Sequence, residues 1–148
     1  KVQFIWQTGG YYFEDIKQKL AAQGCPANLK VTDFINHMDE AYRAADLVIS
    51  RAGASSISEL CLLGKSSILV PSTNVAEDHQ THNAMALVNK DAAFIVKDTE
   101  AQEKLIPLAL TLATDDASLK RIGENALAMG LPNAAQVIAE EVLKLIEK

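Results

Sequence analysis

Short β-prone runs alternate with segments whose apolar residues recur at helical spacing, and this alternation leaves the chain few architectures. Val2 to Gln7 reads as a strand ended by Thr8-Gly9-Gly10, and Tyr11 to Gln23 as a helix stopped at Gly24. Leu29 to Phe34 is a second strand, followed by a helix carrying Met38, Ala41, Tyr42 and Ala45. Leu47 to Ile49 makes a third strand, and its unbroken apolar character predicts burial on both faces. Ile57, Leu60 and Cys61 mark the next helix, which Gly64 ends. Ser67 to Val70 is a fourth strand closed by Pro71, Asn74 to Asp78 a polar loop, His79 to Asn89 a helix and Ala93 to Val96 a fifth strand. From about Glu100 the pattern is helical, with Asp115 or Asp116 as an N-cap. A final helix starts at Pro132-Asn133, its apolar face formed by Val137, Ile138, Val142 and Leu145. The expected class is α/β, a parallel sheet flanked by helices. Ligands in such folds sit beyond the carboxyl ends of the strands, where Thr8–Gly10, Phe34–His37, Ser50–Ser56 and Pro71–His79 should gather.

With 148 residues and 49% hydrophobic content, one domain of ordinary size can bury a core. Fourteen basic residues against nineteen acidic ones give a net charge of −5, which offers no general grip on DNA or RNA. Cys25 and Cys61 lie far apart, so free thiols are expected rather than a disulfide framework or a zinc site. No signal peptide and no apolar run of membrane-spanning length is found. The chain opens on Lys1-Val2-Gln3 without an initiator Met, as expected of a piece of a longer protein.

Three clusters could carry chemistry. In the first, Arg51, Gly53, Ala54, Ser55, Ser56 and Glu59 follow the third strand and open a helix. Gly53 allows a tight turn and close approach of a ligand, while serine hydroxyls and unpaired amides at a helix start suit an anion such as a diphosphate. Glu59 could accept hydrogen bonds from ribose hydroxyls. Equally, Ser56-Ile57-Ser58-Glu59 is a capping box in which Glu59 reaches back to the Ser56 backbone. The second cluster, Glu77-Asp78-His79-Gln80 with Asn83-Ala84, offers neutral donors and acceptors for sugar hydroxyls, or is simply a polar helix start. His79 and His82 lack a third spaced ligand, so no metal is expected there. In the third, Phe34-Ile35 could stack on and hydrogen-bond a nucleobase, or Phe34 could be core. Packing and a turn account for Trp6 and the Gln7-Thr8-Gly9 corner.

Taken in order, Val31-Thr32-Asp33-Phe34-Ile35, Ala45 to Ala54, Ser58-Glu59 and Asp78-His79-Gln80-Thr81-His82-Asn83-Ala84 resemble the MurG-like peptidoglycan glycosyltransferases of family 28. The resemblance covers essentially the whole chain. It implies a Rossmann-like parallel sheet flanked by helices, the C-terminal, donor-binding half of a GT-B enzyme, with residues 1–148 as a single domain. That domain would lack its first βα unit, and the acceptor domain would be absent. On this resemblance the Ile35 backbone reads uracil beside Phe34. Ala54, Ser55 and Ser56 line the diphosphate seat, and Glu59 holds the ribose. His79 and Gln80 contact the N-acetylglucosamine, while Arg51, Gly53 and Asn83 complete the UDP-N-acetylglucosamine site. The implied full enzyme moves N-acetylglucosamine from UDP to lipid I with inversion, without cofactor or metal, on the inner face of the bacterial plasma membrane. The acceptor and membrane would be met by the second domain, and this part alone should be inactive. The general base is not assigned. Two alternatives remain: a stand-alone donor-binding subunit of a split glycosyltransferase, or another GT-B enzyme using UDP-N-acetylglucosamine.

Overall fold

The computed structural model describes residues 2–72 and 78–146. Its elements run β1 (Phe4–Gln7), α1 (Gly10–Gln23), β2 (Leu29–Thr32), α2 (Met38–Ala44), β3 (Val48–Ser50), α3 (Ala54–Leu63), β4 (Ser67–Leu69), α4 (His79–Val88) and β5 (Phe94–Ile95). A 3₁₀ turn (Asp98–Glu100) then leads to α5 (Ala101–Leu112), α6 (Asp116–Ala128) and α7 (Ala134–Ile146). The contacts divide into two compact units, residues 1–45 and 46–148.

The first unit pairs β1 with β2 in parallel, Phe4 against Leu29 through Gln7 against Thr32, with α1 as the crossover. Gly24, at φ 85°, stops α1 in a conformation that glycine adopts without strain. None of the described residues in this unit is fully buried. β2 stops at Thr32, two residues short of the run expected from sequence, because the chain turns through Asp33. The Asp33 carboxylate accepts the Phe34 N–H at 2.8 Å, and Thr32 Oγ1 donates to the Phe34 carbonyl at 2.9 Å.

The second unit holds a parallel sheet in the order β3-β4-β5. β4 is central and buried along its whole length. The expectation of two-sided burial therefore holds for β4 and fails for β3. β3 pairs within this sheet with β4 alone, and Ile49 remains 38% exposed. Ile68, Val70, Val96, Ala109 and Leu112 form the core, so β4, the end of β5 and α5 share one apolar interior. α3 packs on α6 through glycines. A Cβ at Gly123 would stand 2.6 Å from the Gly64 carbonyl oxygen, and Gly64 itself is left-handed at φ 59°. Burial pushes the Cys61 thiol up, as its place on the inner face of α3 dictates.

Asp115 caps α6 by accepting the Ser118 N–H at 3.0 Å. α7 forms where the sequence predicts, but Val137, Ile138, Val142 and Leu145 are all more than half exposed. Both cysteines are free thiols, Cys25 exposed and Cys61 buried. Among the described residues no helix is long and apolar enough to cross a membrane.

Candidate functional site

The strongest cluster lies at the carboxyl end of the second unit's sheet. β3 ends at Ser50, and α3 starts only four residues later, with Gly53 as its N-cap. The first backbone bond of that helix runs from the Ile57 N–H to the Gly53 carbonyl at 3.0 Å. No acceptor among the described residues meets the amides of Ala54, Ser55 and Ser56. Three donors and the positive end of a ten-residue helix thus meet at one place, which favours a bound anion.

This geometry removes one of the sequence readings of the serines, the capping box. Ser56 is the third residue of the helix rather than its cap, so the Ser56–Glu59 capping box does not form. The physical reason is that Gly53 already supplies the capping carbonyl three residues earlier. Glu59 falls in the second turn of α3, is exposed, and takes part in an interaction within the chain. Ser58 turns its hydroxyl back to the Ala54 carbonyl at 2.9 Å.

Gly53 behaves differently from the tight-turn residue expected. Its φ of −69° and ψ of 146° are extended backbone open to any residue. Among the described residues a Cβ built there would meet only Ser56 Oγ, at 4.0 Å. Neither conformation nor packing among the described residues requires glycine at this point, and no other described atom fills the space in front of its Cα beside the three amides.

The residues just before Gly53 are held from three directions. Arg51 Nη1 donates to the Val70 carbonyl at 3.2 Å and is ion-paired with Asp98 Oδ1. Ala52 is completely buried, and its carbonyl accepts Asn83 Nδ2 at 3.1 Å. Gln80 Oε1 accepts the Ser72 N–H at 2.8 Å, fixing the first turn of α4 to the end of β4. α4 begins at His79 behind Asp78, which is left-handed at φ 53° without capping through its side chain. His79 is exposed and has a partner within the chain, and His82 is exposed. The expected loop from Asn74 and the residue Glu77 lie outside the described residues. Among the described residues no group of three or more His, Cys, Asp or Glu side chains could hold a metal ion.

The first unit carries its own candidate. Thr8–Gly10 and Phe34–His37 adjoin at the carboxyl ends of β1 and β2, where the Gly9 N–H donates to the Asp33 carbonyl at 3.1 Å. Phe34 is 62% exposed, which rules out the core reading of that ring. The Ile35 N–H donates to Gln7 Oε1 at 2.8 Å. Gln7 and Asp98 were the partners that sequence reasoning missed. Asp98 lies three residues past the end of the fifth strand, and extending the strand-end rule to that loop would have found it.

Comparison with known proteins shows the family and the fold. The profile described as the glycosyltransferase family 28 C-terminal domain matches residues 1–138. A Bacteroides thetaiotaomicron protein is 58% identical over 146 residues, covering 99% of this chain and 39% of the relative. A Parabacteroides distasonis protein is 54% identical over 148 residues, covering 40% of its length. Both relatives are named UDP-N-acetylglucosamine–N-acetylmuramyl-(pentapeptide) pyrophosphoryl-undecaprenol N-acetylglucosamine transferase. The crystal structure of Acinetobacter baumannii MurG superposes with a TM-score of 0.82 at 32% identity, over 95% of this chain and 42% of that one. The chain thus spans about two fifths of the length of the curated relatives it matches.

Proposed function

This chain belongs to glycosyltransferase family 28, within its C-terminal domain, and on that premise we propose that it is the donor-binding domain of a UDP-N-acetylglucosamine-dependent hexosyltransferase. The observation carrying this reading is the start of α3, which has no side-chain cap and where the Ala54, Ser55 and Ser56 amides stand beside the Cα of Gly53. In the proposed complex those amides seat the diphosphate and Glu59 accepts the ribose hydroxyls. His79 and Gln80 meet the sugar, while Arg51 and Asn83 frame the loop. The first unit, taken by itself, offers the exposed Phe34 ring as a stacking face for a nucleobase. The Ile35 backbone reads the base by exchanging the Gln7 amide oxygen for a uracil oxygen.

The amides do more than bind. As the bond between the sugar and UDP breaks with inversion, negative charge collects on the departing diphosphate. Fixed donors at a helix start stabilise that charge without reorganising. The acceptor in this proposal is the lipid-linked muramyl sugar of lipid I, whose C4 hydroxyl attacks. It would be held by the part of such an enzyme that this chain does not span, together with the contact to the cytoplasmic membrane face. By itself, the chain is expected to bind donor and not to turn over.

The test is titration of the chain with UDP and UDP-N-acetylglucosamine, repeated for Glu59→Ala and with 2′-deoxy-UDP. UDP should bind, and the variant should lose about tenfold, a cost of about 1.4 kcal/mol. The preference for UDP over its 2′-deoxy form should vanish with the carboxylate. An unchanged preference in the variant would remove Glu59 from the ribose.

A further inference from the structure

The Arg51 guanidinium spans the ends of all three strands in its sheet. It leaves the chain one residue past β3, donates to the Val70 carbonyl just past β4, and pairs with Asp98, three residues past β5. Two residues on from Arg51, Gly53 opens α3. An arginine beside a proposed diphosphate seat would ordinarily be read as a ligand of the phosphates. Here one of its nitrogens is committed to two oxygen acceptors of the chain, and one of those is a carboxylate that offsets its charge.

We propose that Asp98 is a positioning residue for the donor site: by clamping Arg51 to the carboxyl ends of β4 and β5, it sets the Arg51–Gly53 turn that aims the α3 amides at the diphosphate. The inference rests on the donor reading above and deepens it. The segment needs such a clamp because Gly53 is extended and none of residues 51–53 is left-handed. Asn83 secures the next residue by holding the Ala52 carbonyl. An exposed ion pair contributes little to global stability. Arg51 is 55% and Asp98 32% exposed at the side chain, so the pair's effect is local and falls on the orientation of the turn.

The experiment measures UDP and uridine affinity by NMR titration for the unaltered chain, Arg51→Ala, Asp98→Ala and the double variant, with melting temperatures alongside. Each single variant should weaken UDP about three- to tenfold. The double variant should be no worse than either single one, because both remove the same clamp. Uridine, which carries no phosphate, should keep its affinity, and the melting temperatures should agree. Equal losses for uridine and UDP, or falling melting temperatures, would mark a merely structural role and overturn the proposal. So would additive losses, unchanged UDP binding, or tighter UDP binding in Asp98→Ala, the last of which would make Arg51 a direct phosphate ligand. Failure of the unaltered chain to bind UDP would instead sink the donor reading itself, and this inference with it.

Discussion

Replacing Gly53 with alanine separates what this residue does for the fold from what it does for a ligand. Among the described residues the new methyl would touch only Ser56 Oγ, at 4.0 Å, and φ −69°, ψ 146° suits alanine. Removing glycine's freedom in the unfolded chain stabilises by about 0.4–1 kcal/mol. Alanine is a poorer N-cap than glycine, and that costs about 0.5–1 kcal/mol. The two offset, so the melting temperature of Gly53→Ala should stay within roughly 2 °C of the parent. The ligand side is not offset. The methyl occupies the open space through which a phosphate oxygen would reach the Ala54–Ser56 amides. Losing one charge-assisted hydrogen bond there costs about 1.5–3 kcal/mol. UDP affinity should then fall by about ten- to 150-fold. Calorimetry or NMR titration with UDP, paired with thermal melting by circular dichroism, reads both quantities. Parental affinity in a normally folded variant would show that no ligand approaches Gly53, and the diphosphate seat would have to be sought elsewhere. A melting temperature lower by more than a few degrees would assign the glycine to the fold.

Two further outcomes test the framework around the site. Gly123→Ala drives a methyl to 2.6 Å from the Gly64 carbonyl and 3.4 Å from Ser66 Oγ, where backbone must move. It should cost about 1–3 kcal/mol and lower the melting temperature by roughly 2–12 °C; an unchanged midpoint would mean that α3 and α6 do not pack as described. The hydrogen bond from Ser118 holds the Asp115 carboxyl below the usual carboxylate range. A depressed pKa contributes stability above the unfolded value, about pH 4, and that contribution is lost as pH falls through the folded value. Asp115→Ala should therefore melt lower than the parent at neutral pH, with the gap closing in acid. A gap independent of pH would contradict the cap.

The order of strands and helices was legible because it is a local property. Apolar spacing, Gly24 and Gly64 at helix ends and Asp115 at a helix start each act within a few residues, and all take the places the sequence predicts. So were the unpaired amides of the segment after β3, since a strand followed at once by a glycine and a serine-rich helix leaves N–H groups without helical partners. Which residue caps that helix was not legible. The Ser56–Glu59 spacing satisfies a capping box on paper, and only the path of the chain out of β3 makes Gly53 the cap instead.

Burial and pairing belonged to the tertiary structure. Leu47–Ile49 and Ser67–Val70 look alike as apolar runs, yet β4 is enclosed and β3 half open. Enclosure depends on how many neighbours a strand acquires, and sequence spacing does not carry that. The Arg51–Asp98 pair spans 47 residues, and Asn83 reaches 31 back to Ala52. Such contacts exist only once parallel strands bring their carboxyl ends side by side. The sequence by itself determined which chemical groups this protein has and which elements carry them. Only the folded chain decided which of those groups remain unpaired toward a ligand and which are consumed holding the site in place.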